Sequence, residues 1–597
     1  MCRATTVVAR GGFIWSERRL EIHAIRLISL LSLCLMLTSA VACGETRESI
    51  QIFPDSIHLT APESSEQIVV IRTGQSGNAQ DLTGSVRYEL ADPAIAEVSL
   101  NGRVTPRRDG TTELRIHSEG SVQTLPLQVS GLSMPSPVSF RHEIIPVLSK
   151  AGCNSGGCHG KAEGQNGFRL SVFGYDAMAD YNAIVRDGRG RRVFPAVPEH
   201  SLLLTKATGI LPHGGGIRIE RNSRWHQLLL RWIREGLPLD EQQSSVVSIR
   251  VDPSEISLDA LTKMQLRVDA IDASGRRLGV TAETDFQSNN DAIATVTRSG
   301  LIEAADVPGE AAILVRYMGH VAVCRVTRPR PAVSFNRPPE ANFVDQHLWD
   351  KLQKLNIQPS EVADDATFLR RSYLDITGML PAAAEARSFL EDKSVDKRER
   401  LIQQLLERPE YADFWAQKWT DLLQVDKDIL GPQGAMSMFR WVRSQFRRNV
   451  PFDVFARRVV MAEGSTLNES PAGFFQVQSD AEKSARAISQ LFLGVRIECA
   501  QCHHHPFERW DRSDYFAWAG LFSGIERKPG PNGSVRIVSK VETPLAHPGT
   551  GEPVAFRMLG SEPHDSITPG HARRMVADWM TTPNNPWFTR TIVNRMF

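Results

Sequence analysis

The sequence predicts a multidomain α plus β protein: two β-sandwiches, one small α-helical domain and one larger mainly α-helical domain. Three observations lead there. The chain has 597 residues, too many for a single hydrophobic core. One pattern of short alternating strands occurs twice. Two other stretches carry apolar residues at helical spacing, and each holds a cluster of cysteine and histidine.

Composition narrows the function classes. Lys plus Arg is 69 and Asp plus Glu is 68, a net charge of +1. That balance argues against an electrostatic nucleic-acid binder. Hydrophobic residues at 41% and aromatics at 7% suit a soluble protein. The N-terminus reads as a secretory signal over residues 1–42: Arg18, Arg19 and Arg26 precede an apolar stretch over 27–37, and small residues end at Ala40-Val41-Ala42-Cys43. Cleavage after Ala42 is one expected outcome. Lipidation of Cys43 is the other, although Ala40 stands where a leucine is usual. The chain is therefore expected in the periplasm or at the cell surface. No later apolar run is long enough to span a bilayer, so membrane contact would come only through a lipid anchor.

The two sandwiches are expected over 48–131 and 247–329. Asp92-Pro93-Ala94-Ile95-Ala96-Glu97-Val98 is followed by Asn101-Gly102-Arg103-Val104. Asp291-Ala292-Ile293-Ala294-Thr295-Val296 is followed by Ser299-Gly300-Leu301-Ile302. Each copy runs through a glycine turn into another alternating strand, Glu113-Leu114-Arg115-Ile116 or Ala312-Ile313-Leu314-Val315. Cys324 lies on a similar alternation and reads as a small core residue.

Between them, 136–240 is expected to be the small helical domain. A helix-like lead from Phe140 to Leu148 enters Cys153-Asn154-Ser155-Gly156-Gly157-Cys158-His159. Trp225, Leu228, Leu229, Trp232 and Ile233 form a closing helical stripe that Gly236 stops. The second cluster, Cys499-Ala500-Gln501-Cys502-His503, is the C-x-x-C-H attachment pattern of c-type haem. Two thiols one turn apart reach two edges of one macrocycle, and the adjacent imidazole lies under the iron. The first cluster has the same ending with two more intervening residues, and Gly156 and Gly157 allow the loop to bulge. Cys499, Cys502, Cys153 and Cys158 are the cofactor-binding candidates for one or two haems c. His503 and His159 are the proximal ligands, and His213, in the loop Leu211-Pro212-His213-Gly214-Gly215-Gly216, is the candidate sixth ligand. Zinc is the alternative, held by Cys499, Cys502 and two of His503, His504 and His505. A disulfide within either cluster and iron held by histidines alone are further readings. The basic run from Arg186 to Arg192 is expected to be a solvated loop.

The larger helical domain is expected over 340–526, followed by Gly- and Pro-rich irregular or β structure. Leu401, Ile402, Leu405 and Leu406 mark one apolar face that ends at Arg408-Pro409. Trp415 and Trp419 read as core. Asp375, Asp421 and Glu463 are carboxylates available for acid–base work, with no spacing that pairs them.

Four resemblances follow from these residues. The strand repeat resembles bacterial Ig-like domains of group two, which implies spacing or adhesion at a cell surface. The segment around the first cluster has the plan of a cytochrome-c-like domain. Phe368-Leu369-Arg370-Arg371-Ser372-Tyr373-Leu374-Asp375-Ile376-Thr377-Gly378, Tyr411-Ala412-Asp413-Phe414-Trp415-Ala416-Gln417-Lys418-Trp419 and the run from Phe492 to His503 resemble the planctomycete cytochrome domain two. Asn585-Pro586-Trp587-Phe588-Thr589-Arg590-Thr591-Ile592-Val593-Asn594-Arg595 resembles the opening of planctomycete-specific domain one, expected as a truncated start over 540–597. The resemblance implies haem or metal at the clusters and an extracytoplasmic home, without supplying a reaction. His504 departs from the acidic residue expected there and keeps zinc in view. Expected partners are a redox protein and, through the sandwiches, the cell envelope or polysaccharide. The competing function is a structural or adhesive surface protein.

Overall fold

The computed structural model describes residues 49–74, 79–118, 121–240, 246–468, 470–505, 508–561 and 570–596. The leader and Cys43 lie outside these residues. Among the described residues, no helix is long and apolar enough to cross a membrane.

The strand repeat folds as a topological repeat. In the first unit, Ser49–Phe53, Val69–Thr73 and Ala79–Asp81 form one sheet. Ile57–Leu59, Ser121–Val129, Gly110–Ser118 and Arg87–Leu90 form a second, and Glu66–Gln67, Arg103–Pro106 and Ala96–Val98 a third. The second unit repeats this order in Val246–Asp252, Arg267–Asp272 and Arg277–Gly279, then in Glu255–Ser257, His320–Arg328, Gly309–Tyr317 and Asp285–Ser288, then in Lys263–Gln265, Leu301–Ala304 and Ala294–Val296. Even the parallel pair recurs, Ile57 beside Leu127 and Ile256 beside Val326. Alternation drives each core: Leu125, Leu127 and Val129 are buried in one, and Ile313, Val315 and Cys324 in the other.

The two units are fused through one strand. Ile68 and Val70 face the first core, while Val69 and Ile71 pack into the second. A strand buried on both faces must be apolar at consecutive positions, as Ile68-Val69-Val70-Ile71 is. Beside it, Arg267 pairs with Glu66 at 3.1 Å and with Asp269, all three buried. The Glu66 carboxylate lies close against the Gly279 backbone, so a side chain there would push on Glu66.

The helical unit sits across both sandwiches. A π-turn at Phe140–Ile144 leads into Ile145–Lys150, and the closing helix Arg224–Arg234 packs against this lead, with Phe140 and Trp232 ring centroids 5.3 Å apart. Gly236 ends the helix at φ +85°. Arg231 pairs with Glu63 of the first sandwich at 2.8 Å, and Arg224 with Glu283 of the second. Lys150 donates to the carbonyls of Thr284 and Arg298, and the Arg298 guanidinium donates back to the Lys150 carbonyl. The basic run is not wholly solvated. Arg192 is buried, lies over the Phe168 ring and donates to the carbonyls of Ala183, Asp187 and Gly167, because three inward carbonyls need a donor there.

The larger domain begins with Phe343–Lys354, Asp365–Thr377, Ala383–Glu391 and Lys397–Glu407. A small core of Leu369, Tyr373, Phe389, Leu401 and Leu405 joins the last three, and Leu406 stays exposed. Pro409 opens the next helix, Pro409–Leu422, at a position where its missing N–H costs nothing. Trp419 is a buried core residue. The segment expected to open a further domain does not stand apart. Ala572, Val576, Met580 and Phe588 share one core with Trp419, Phe455, Trp518 and Ile537.

Two buried carboxylates around one guanidinium favour protonating one of them, and burial pushes Glu66 from 4.5 up to about 7 against the pull of Arg267. Between these values the folded chain holds a proton that the unfolded chain has lost, so stability falls as pH rises from about 4.5 through 7. Glu66→Gln is expected to remove this slope, worth on the order of 3 kcal/mol, in unfolding midpoints followed across that pH range.

Candidate functional site

The first cluster forms where the Ile145–Lys150 helix runs out. Gly152 takes φ +76°, and the Cys153 N–H bonds back to the Leu148 carbonyl at 2.9 Å. The loop then closes on itself: the His159 N–H donates to the Cys153 carbonyl at 3.0 Å and the Gly160 N–H to the Ser155 carbonyl at 3.0 Å. Gly156 and Gly157 bulge outward with open space around them, which absorbs the two extra residues. Gly160 allows the closure, since a Cβ there would lie 2.1 Å from the Asn154 carbonyl oxygen. Asn154 is buried, and its amide donates to Ser149 Oγ at 2.8 Å.

His159 and the candidate sixth ligand His213 come together. Their rings are 8° from parallel with centroids 6.3 Å apart. His159 Nδ1 lies 3.0 Å from the Phe168 carbonyl oxygen, and His213 Nδ1 lies 2.9 Å from that of Gly216. A carbonyl only accepts, so both Nδ1 atoms carry the proton and both Nε2 atoms keep a lone pair. Burial holds His159 below the ordinary histidine value. Cys158 Sγ is 3.7 Å from the Arg218 guanidinium, and Cys153 packs against the apolar core, which pushes its thiol up to about 11.

The second cluster sits on the single turn Glu498–Gln501, after Gly494 at φ +69°. The two middle residues anchor it. Ala500 is fully buried, and Gln501 donates to Glu482 at 2.5 Å and accepts from Arg486 at 3.1 Å. The Tyr515 hydroxyl donates to the same Glu482 oxygen at 3.1 Å. Cys499 and Cys502 are thereby turned outward and exposed. His503 Nδ1 donates to the His504 carbonyl at 2.6 Å, so its Nε2 also keeps a lone pair.

The three consecutive histidines diverge. The His503 ring meets Phe173 edge-on at 6.0 Å, His504 meets Tyr175 at 6.3 Å, and buried His505 donates its backbone N–H to Trp510. Among the described residues, no group of three or more His, Cys, Asp or Glu side chains is placed to hold a metal ion, and no cysteine is in a disulfide. Asp375, Asp421 and Glu463 are exposed, and Glu463 pairs with Arg573 at 2.9 Å.

The two clusters lie at one junction. The tip of the Gly309–Tyr317/His320–Arg328 hairpin, Met318-Gly319, turns with both residues at positive φ and lies against His504. A cavity of about 240 Å³ lies there, lined by Lys150, Ser155 and Phe173 of the helical unit, Arg316 and His320 of the hairpin, and His504. Sequence reasoning missed Phe173, Tyr175, Glu482 and the hairpin tip. The pattern around them carries no local signal, because each acts through a residue far away in the chain.

Residues 343–527 match the family model described as "PSCyt2: Protein of unknown function (DUF1549)". A search of curated proteins gives no match. Among solved structures, domains 1–6 of the surface-layer protein SbsC align at 12% identity over 45% of this chain and 24% of that one, with a TM-score of 0.14. SbsC domains 5–6 align at 12% identity over 47% of this chain and 98% of that one, with a TM-score of 0.20. Extracellular domains 3–5 of Drosophila OTK align at 8% identity over 47% and 61%, with a TM-score of 0.10. The chain thus spans about a quarter of the first of these structures.

The thiols should differ in reactivity because only a thiolate attacks an alkylating agent. In the protein before any cofactor is attached, exposed Cys499 and Cys502 are expected to label first. Cys153, raised to about 11, should lag behind them, and fully buried Cys324, raised to about 12, should label only on unfolding. Peptide mass spectrometry over a time course reads the order directly.

Proposed function

We propose that this is an exported c-type haem-binding protein that passes single electrons at the cell surface or in the periplasm. One observation carries the reading. His159, His213 and His503 each commit Nδ1 to a backbone carbonyl and present Nε2 as the remaining donor. A metal-ligating histidine needs that arrangement, since the second-shell bond fixes the tautomer and raises the basicity of the ligating nitrogen. These residues fit the group. At the second cluster two outward thiols flank one turn, with His503 directly after them. At the first, the bulged loop closes by a hydrogen bond from the His159 N–H to the Cys153 carbonyl, and His159 and His213 would be the residues that hold the iron. The divergence of His503, His504 and His505 disfavours four-ligand zinc. Bound haem would supply a one-electron iron couple.

The chain's own residues would tune that couple. Gln501, Glu482 and Arg486 hold the second turn rigid, Arg218 places positive charge beside Cys158, and burial on the apolar core lowers the dielectric around Cys153. In this reading the helical unit is a cytochrome-c-like domain, the sandwiches are bacterial Ig-like spacers of group two, and the helical domain from 340 is a planctomycete cytochrome domain two followed by the start of planctomycete-specific domain one. The signal-like leader supports export, with Cys43 as a lipid anchor. A redox protein would be the partner, and the sandwiches would meet the envelope or its polysaccharide. The fused sandwiches favour a second reading, a structural or adhesive surface protein with zinc or disulfides at the clusters.

Expression with a haem-maturation system separates the two readings. Covalent haem at Cys499 and Cys502, and at Cys153 and Cys158, is expected by mass spectrometry and visible absorption. Colourless, iron-free protein carrying zinc or disulfides supports the second reading. In haem-loaded protein, His213→Ala is expected to turn the first centre from low-spin to high-spin and open it to carbon monoxide, while the second centre keeps its spectrum.

A further inference from the structure

Phe173 is held in a conformation that its side chain disfavours. Its backbone lies at φ +56°, ψ +20°, in the left-handed region that a bulky residue enters at a cost on the order of 1–3 kcal/mol. The next residue, Gly174, is at φ +73°, where a Cβ would lie 2.3 Å from Ile145 Cγ2. The surroundings enforce this turn. The Phe173 N–H bonds to the carbonyl of Asn154, inside the first cluster, at 3.3 Å. Its ring is capped by the Arg316 guanidinium at 5.2 Å and meets the His503 ring edge-on at 6.0 Å. Two residues on, Tyr175 repeats the arrangement with His504 at 6.3 Å and the Arg512 guanidinium at 4.9 Å. The short segment from Phe173 to Tyr175 therefore touches the first cluster through its backbone and the second through its rings. Nothing in the packing of the helical unit alone calls for a half-exposed aromatic at a strained position.

We infer that the two clusters work as one two-centre unit, with Phe173 as the positioning residue that sets their separation and carries the contact between them. The inference rests on the haem reading above. The path is short: Cys153 to Asn154 along the chain, one backbone hydrogen bond to Phe173, and one ring contact to His503. With haem bound at both clusters, the transfer would move one electron from one iron couple to the other, with no bond made or broken and no proton required. Charges this close also interact directly, so the affinity of one centre for an electron depends on the state of the other.

The test uses full-length matured protein, Cys153→Ser/Cys158→Ser and Phe173→Ala. Mass spectrometry first counts attached haems: two in wild type and in Phe173→Ala, and one, at residues 499 and 502, in the double-serine variant. Potentiometric titration followed by absorption is then expected to show a shifted midpoint for the second centre once the first is absent. Electron paramagnetic resonance of the oxidised wild type should show enhanced relaxation from a neighbouring paramagnet, lost in the double-serine variant and weakened in Phe173→Ala. Relaxation enhancement in the wild type is read without any variant, so a poorly folding variant does not blunt the test. Two attached haems with unchanged midpoint and no relaxation enhancement overturn the two-centre unit and leave the haem reading standing. Absence of haem at both clusters removes the haem reading, and the two-centre unit with it.

Discussion

The arrangement of the clusters depends on one buried ammonium group. Lys150 ends the helix that feeds the first cluster, and it is 5% exposed. It donates to two carbonyls of the second sandwich, lies 5.1 Å from the centroid of the Phe286 ring, and receives a guanidinium hydrogen bond on its own carbonyl. Burial pulls its pKa down to about 8, against the opposing field of Asp285. A charge kept inside under that penalty has its hydrogen bonds nearly satisfied by protein. Because the clamp sits three positions before Cys153, the first cluster is registered against the sandwich rather than hung from a linker. The same sandwich sends its hairpin tip to His504. Both clusters are thus measured from one β-framework.

Within that framework the chemistry is set by backbone carbonyls. Phe168, Gly216 and His504 each supply the oxygen that fixes a histidine tautomer. Two of the three oxygens, those of Phe168 and Gly216, belong to residues whose side chains suggest no ligand. Loop closure does the remaining work: bulged glycines at 156 and 157, an obligatory glycine at 160, and a buried alanine with an anchored glutamine at 500 and 501 decide which way each thiol faces.

Much of this was legible residue by residue. The repeated strand pattern gave two units of one topology, the Trp225–Ile233 stripe gave the closing helix with Gly236 as its stop, and Cys324 is the small core residue its alternation implied. The cluster spacings pointed to thiols and imidazoles, and the structure turns Cys499 and Cys502 outward and stacks His159 on His213. What escaped is long-range. Arg192 reads as one more charge in a basic run, yet three carbonyls draw it inward. The packing of the C-terminal segment is not written locally either: Val576 and Phe588 share the core of the preceding helices. The strained turn at Phe173 has no sequence signature, because the forces that hold it come from Asn154, Arg316 and His503 together.

The strand Val69–Thr73 has an evolutionary consequence. Since its alternate side chains belong to different cores, the second sandwich completes its interior only with Val69 and Ile71 of the first. The helical unit threaded between them in sequence is enclosed by that dependence. Moving the second unit without the first would uncover the apolar surface that Val69 and Ile71 fill. Lineages that lose the leading sandwich would have to rebuild an apolar lid over the trailing one before anything downstream could be kept.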